Sequence, residues 1–239
     1  MRLVKRRYSV GTSQGEIVCD SATGVEAALA SIRHHRKCLE DYVLKNPVFM
    51  YALSPVQVEG DAPLVVKKMA EYASIARVGP MASVAGVLAD LAVEDALKAG
   101  ARAIAVENGG EVALAGRAKF VVGVKVGGRV LFALKIMPED MPIGIATSSG
   151  KYGHALSFGE ADSVTVIAET AGLADAAATA ICNATKGKDA IEKGLARAKE
   201  IRGVRGVIIV LDGLAGMWGN VPEMVNVQQQ EFASDALGG

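Results

Sequence analysis

An α+β fold, with mixed or antiparallel sheets flanked by helices, follows from three features of the sequence. Helical segments faced with Ala, Gly and Ser are interspersed with short apolar strands. One strand pair is joined by Gly127-Gly128, a strong hairpin signal. Glycine corners at Asn108-Gly109-Gly110 and Thr147-Ser148-Ser149-Gly150 leave strands abruptly. Strands and helices mixed in this way build an α+β domain, or a mixed sheet covered by helices.

The elements follow in order. Residues 6–9 and 16–20 flank a turn-rich spacer and form a hairpin. Residues 24–44 carry Ala28, Ile32, Leu39 and Val43 at helical spacing, and Asn46-Pro47 ends that helix. Its basic run, residues 33–37, reads as a solvated face or an anion site. A second helix opens at Asp61-Ala62-Pro63, with Asp61 as N-cap, and runs to Ala76. After the break at Val78-Gly79-Pro80 a third helix spans residues 81–99 and closes at Gly100. Residues 103–106 form a buried strand entering the Asn108-Gly109-Gly110 turn, and residues 120–126 and 130–136 pair as a hairpin. Strands at 143–146 and 163–168, helices at 172–182 and 189–201, and a last strand at 207–211 complete the pattern. Residues 228–239 are polar and expected to fray.

Composition narrows the function classes. At 239 residues the chain suits one domain over residues 1–239, with room for two intimate lobes. Lys and Arg number 26 and Asp and Glu 26, so no global field draws nucleic acid or an anionic membrane. Aromatic residues at 5% are too sparse for a base-stacking platform. The basic start lacks the apolar run of a secretory signal, and no window of eighteen apolar residues suggests a membrane span. Cys19, Cys38 and Cys182 are odd in number and form no CxxC pair. A cytoplasmic protein with a small-molecule ligand, and neither nucleic acid nor membrane as partner, is the expectation.

The chemistry concentrates between Gly79 and Cys182, where small-residue helices and glycine corners are expected to enclose a common cavity. Asp175 and Thr179 stand four residues apart on a helix, so their oxygens share one face. A carboxylate and a hydroxyl are hard ligands of the kind Mg²⁺ accepts; alternatively Asp175 answers a helix dipole and Thr179 bonds back to a carbonyl. Thr147, Ser148 and Ser149 either cradle a phosphate or mark a plain strand-to-loop transition. Asn108, Gly109, Gly110 and Glu111 form a tight turn that can present polar groups to a ribose or ring system. His154, the histidine of this region, is the candidate proton carrier, with a surface role as the alternative.

The order of these motifs resembles the FAD:protein FMN transferase (ApbE-like) superfamily. The carrying residues are 86–90, Glu107-Asn108-Gly109-Gly110-Glu111, Ala146-Thr147-Ser148-Ser149, Ser163–Ala168 and residues 174–180. The chain is most similar to an uncharacterised, leaderless prokaryotic branch, in which residues 78–86 replace the transferase helix start. The resemblance implies an ApbE-like, T-fold-related architecture, FAD or FMN as ligand, and Mg²⁺ held by the residues matching Asp175 and Thr179. Two departures put FMN transfer itself in doubt. Ala85 stands where the transferases carry a lysine, and residues 155–162 lack the Asp-Pro-Arg-Thr-Gly turn that follows their histidine. Two other readings remain: a non-catalytic homo-oligomer whose small-residue helices pack against another subunit, and a thiol enzyme of sulfur or amino-acid metabolism using Cys38 or Cys19.

Overall fold

The computed structural model of the chain describes residues 2–126, 129–151 and 159–225. Strands β1 (Val4–Val10) and β2 (Ser13–Cys19) precede helices α1 (Ala22–Lys45), α2 (Pro47–Tyr51) and α3 (Leu64–Ala76). A 3₁₀ turn, Pro80–Ser83, leads into α4 (Val84–Lys98). Strands β3 (Ala103–Asn108), β4 (Glu111–Gly116), β5 (Phe120–Val126), β6 (Arg129–Ile136), β7 (Ile143–Ser148) and β8 (Ser163–Ala168) follow. The chain then forms α5 (Ala171–Ala184), α6 (Ala190–Glu200), β9 (Val204–Leu211), β10 (Leu214–Gly219) and β11 (Glu223–Val225).

Antiparallel pairing orders eight strands as β1-β2-β3-β4-β7-β8-β9-β10, and three more as β11-β6-β5. Side-chain alternation then sorts the large sheet into two buried faces. Ile104, Val106 and Ala113 meet the helix layer, where α1 and α4 pack, while Val164 and Val166 meet α5. Ala103, Leu114, Ile143, Ile145 and Ile167 point the other way, onto Phe120, Val124, Leu134 and Ile136 of the small sheet. Three layers result: helices, large sheet, small sheet. The expected α+β class with helix-flanked antiparallel sheets is what forms.

Two helices lie at the centre of the helix layer. α4 buries Gly86 through Val93, and α5 buries Ala171–Ala174 and Ala176–Cys182. Their small faces exist for contact with each other. A Cβ on Gly86 would overlap the Ala171 carbonyl, and one on Gly144 would overlap the first amide of α5. Glycine at both places lets α5 start directly against α4 and β7. From Gly144 the helix runs along β7, and its end reaches Gly159, whose Cβ would strike the Cys182 carbonyl.

Several boundaries differ from the sequence reading. Asp61 is not a cap: Pro63 takes the N-cap position of α3 and its carbonyl accepts from Lys67. Ser21 caps α1, accepting from Gly24 at 3.0 Å. β4 was not expected at all, and the glycine-rich residues 214–219 form the edge strand β10. Residues 228–239 lie outside the described residues. Among the described residues no single helix is long and apolar enough to cross a membrane.

Candidate functional site

Where α4 begins, its first amides have no partner within the helix. Asp175, one turn into α5, fills that gap: its Oδ2 accepts from Gly86 N at 3.1 Å, and its carboxyl also accepts from Ala85 N. The relationship is reciprocal. Asp90, on α4, accepts from Ala171 N and Gly172 N, both at 2.8 Å, and so caps α5. Each helix supplies the carboxylate that the other's first turn lacks. Thr170 adds an ordinary cap, accepting from Leu173 N at 3.3 Å.

The sheet provides the floor beneath that crossing. Asn108 and Glu111 face each other in register across the Gly109-Gly110 turn, where φ is 68° and 112°. Positive φ at both central positions is the type I′ arrangement that suits a two-residue hairpin. Asn108 is buried and donates from Nδ2 to the Ala85 carbonyl at 3.0 Å. Gly110 N donates to Glu107 Oε1 at 2.7 Å, and Gly109 N donates to the Gln14 carbonyl at 2.8 Å. The turn is thereby fixed from three sides.

Glu111 and Asp175 come together here. Burial pushes both carboxyls up, and the negative charge of Asp175 raises Glu111 further. The amides of Gly86 and Ala85 pull Asp175 the other way without reversing the shift. As whole residues both are of intermediate burial, but their carboxyl groups are enclosed, and burial is the leading cause of the shift in each. Among the described residues neither forms an ion pair with Lys or Arg. Asp90 is more deeply enclosed, and burial lifts its carboxyl to about 6 against the pull of its two amides and of Lys68.

The remaining sequence candidates divide. Thr179 is buried one turn beyond Asp175, about 6 Å along the axis. Ser148 lies on the helix face of β7, in alternation with Ala146 and Gly144. Thr147 does not: its hydroxyl meets Thr165 Oγ1 at 3.0 Å, on the face shared with Ile143 and Ile145. Among the described residues just after it, two backbone amides are bonded locally. Ser149 Oγ accepts from Lys151 N at 3.1 Å, and Gly150 N donates to Ala161 at 3.0 Å. Of the expected phosphate cradle, Ser148 alone has its side chain on the α5 face of the strand. His154 lies outside the described residues.

Two further expectations change. The small faces of α4 and α5 fill the interior where a common cavity was expected, and the carboxyl pair lies at their crossing. Cavities of about 330 Å³ occur elsewhere, beside Arg205 and Asn220 and beside Arg77 and Arg197, and neither is lined by Glu111 or Asp175. The carboxyl pair, with its fixed donors and acceptors, is the better candidate because it carries chemistry. Among the cysteines, Cys19 and Cys182 are buried, and Cys38 is partly buried with its Sγ 3.7 Å from His34 Nε2. Asp90 had been noted only as part of a motif, and its carboxylate-to-amide role is visible once α5 is placed beside it.

Comparison with known proteins agrees with this architecture. A family model described as AbpE bacteria matches residues 5–213. A UPF0280 protein of Methanosarcina acetivorans is 36% identical over 237 residues, covering 98% of this chain and 94% of the relative. Another, from Methanocaldococcus jannaschii, is 42% identical over 207 residues, covering 83% and 84%. An ApbE protein of Thermotoga maritima superposes with a TM-score of 0.65 at 18% identity, over 92% of this chain and 97% of the other. The flavinyl transferase ApbE of Pseudomonas stutzeri gives 0.60 at 13% identity, over 91% and 94%. Those identities speak to the fold alone. The chain carries the ApbE fold and belongs to the AbpE bacteria family, alongside the UPF0280 proteins.

Proposed function

We propose that this chain binds a flavin nucleotide, FAD or FMN, through its phosphates and a divalent cation at the Glu111–Asp175 pair. The observation that carries the reading is the close, enclosed carboxyl pair beside the first turn of α4. Two acids raised together hold a proton that a cation can replace. Among the described residues no three His, Cys, Asp or Glu side chains gather as a metal cage. That donor set suits Mg²⁺, which keeps waters and takes ligand phosphates in its remaining positions. Asp175 and Thr179 would hold it, with Glu111 alongside, and it would supply charge neutralisation to a phosphoanhydride.

The other residues have positioning roles. Asn108 holds Ala85 and so fixes the start of α4 over the floor. The Gly109-Gly110 corner lies beside Glu111 and Ala85, and its backbone is where a flat ring system or a ribose would approach. Ser148 offers a hydroxyl on the same side. Ala85 stands where a lysine serves the transferases, so we assign binding and not FMN transfer to the protein. The finding that a flavinyl transferase shares this fold supports the choice of ligand class.

The test is titration calorimetry of the folded protein with FAD, FMN and ATP, each with and without Mg²⁺. Binding of a flavin nucleotide that needs Mg²⁺, and is lost in Asp175→Asn, is the expected result. Silence for all three ligands at millimolar concentration removes this reading.

A further inference from the structure

We infer that residues 44–64 form the interface of a homodimer, the same surface of a second copy lying against it. The last turn of α1, all of α2 and the segment to α3 make one excursion. It folds back on α1 where Tyr42 donates to Glu59 Oε2 at 3.0 Å. Phe49 and Ala62 turn inward and Val56 and Val58 pack on the core, but six other apolar side chains point outward. Leu44 is 81% exposed, Val48 69%, Tyr51 74% and Leu53 64%, with Met50 and Leu64 nearly half exposed. α2 buries Phe49 alone while presenting Val48, Met50 and Tyr51 to solvent. Such a helix gains little in an isolated chain.

Area and composition select the occupant. The six side chains together expose on the order of 700 Å², close to the ~800 Å² that each partner gives to a standard interface. An ordinary monomer leaves roughly 300–600 Å² in its largest patch. Residues 46–58 contain no charged side chain, and loss of charge with enrichment in Tyr, Met and Phe marks an interface core. The patch offers no sign to a charged partner. Lys45 is its neighbour on one side and Glu59 and Asp61 on the other, a composition without the basic cluster that holds an anionic membrane. A self-complementary apolar patch on a second copy satisfies all of this, in the isologous manner of a two-fold dimer.

The location also departs from what the sequence suggested. The small-residue helices are consumed inside the chain, so the contact between copies falls on α2 instead. α2 packs on the 3₁₀ turn Pro80–Ser83 that starts α4, with Gly79 so close to the Ala52 carbonyl that a Cβ would overlap it. The contact therefore lies beside the segment that carries Ala85 and Gly86.

Sedimentation velocity of the full chain between about 5 and 100 µM is the test, with Tyr51→Glu/Leu53→Glu and the edge-strand control Met217→Glu. Both sets change exposed residues, and circular dichroism with a melting curve checks that each variant folds. A wild-type dimer that becomes monomeric in the double variant and persists in the control is expected. A monomeric wild type at 100 µM, a double variant that stays dimeric, or a control that alone dissociates overturns the proposal. So does a wild-type monomer that floats with neutral phosphatidylcholine vesicles, because a lipid surface is then the occupant.

Discussion

Asp90 and Asp175 cap each other's helices. Asp90 of α4 holds the Ala171 and Gly172 amides of α5, and Asp175 of α5 holds the Gly86 and Ala85 amides of α4. This pair of cross-helix caps sets how the two central helices cross, and the crossing places Asp175 beside Glu111. Structure and proposed ligand chemistry meet at Asp175, whereas the contacts of Asp90 are the cap on α5.

Removing Asp90 is therefore expected to act on stability first. Asp90→Ala strands two buried amides and leaves a small void, a loss of about 2–4 kcal/mol. Asp90→Asn keeps one acceptor and loses less. Urea unfolding monitored by circular dichroism gives the ranking wild type, Asn, Ala.

The same carboxyl makes stability depend on pH. Its folded value, about 6, lies above the ordinary 3.8, so the folded state holds the proton more tightly than the unfolded chain. The contribution is full below pH 4 and is lost as pH rises through about 6, a change of about 3 kcal/mol. Midpoints of urea unfolding at pH 4.5, 5.5 and 6.5 are expected to fall along that series. Asp90→Asn is expected to reduce the fall, and what remains comes from Asp175 and Glu111, whose carboxyls are raised in the same sense.

Gly86 tests the close approach of the helices. A Cβ there meets the backbone of α5, which cannot give way as a flexible side chain can, so Gly86→Ala is expected to cost about 1–3 kcal/mol. Gly60 has nothing within 4 Å of the same atom, and Gly60→Ala is expected to be neutral or slightly stabilising. Equal effects in thermal melts would contradict the account of α4–α5 packing.

Ala85→Lys puts an ammonium next to the carboxyl pair. Opposite charge lowers both acids and occupies the place of a divalent cation. The variant is expected to fold, and to lose the rise in melting temperature that Mg²⁺ gives the wild type above pH 7. An undiminished Mg²⁺ effect would place the cation away from Glu111 and Asp175.

Much of this arrangement was legible beforehand, and the gaps have physical reasons. Ser163–Ala168 is rich in Val, Ile and Thr and reads as a strand directly. Glu111–Gly116 is mostly Ala, Leu and Gly around one Val, and its place in the middle of the sheet supplies what its propensity lacks. The orientation of Thr147 was hidden because both sheet faces are covered. Ile143 and Ile145 point to one layer and Gly144 and Ala146 to the other, so no polar–apolar alternation marks the face. The caps made by Asp90 and Asp175 join residues more than eighty positions apart, which local spacing does not encode. Asp175 stood out through its spacing to Thr179 and mainly through its family motif.

The central claim is that Glu111 and Asp175 share a proton which a bound cation displaces. Calorimetry of Mg²⁺ with FAD at pH 6.5, repeated in buffers of different ionisation enthalpy, counts that proton directly. Release of about one proton per site in the wild type, and none in Asp175→Asn, is the expected outcome. Tight binding with no proton release, or the same release in Asp175→Asn, would contradict it.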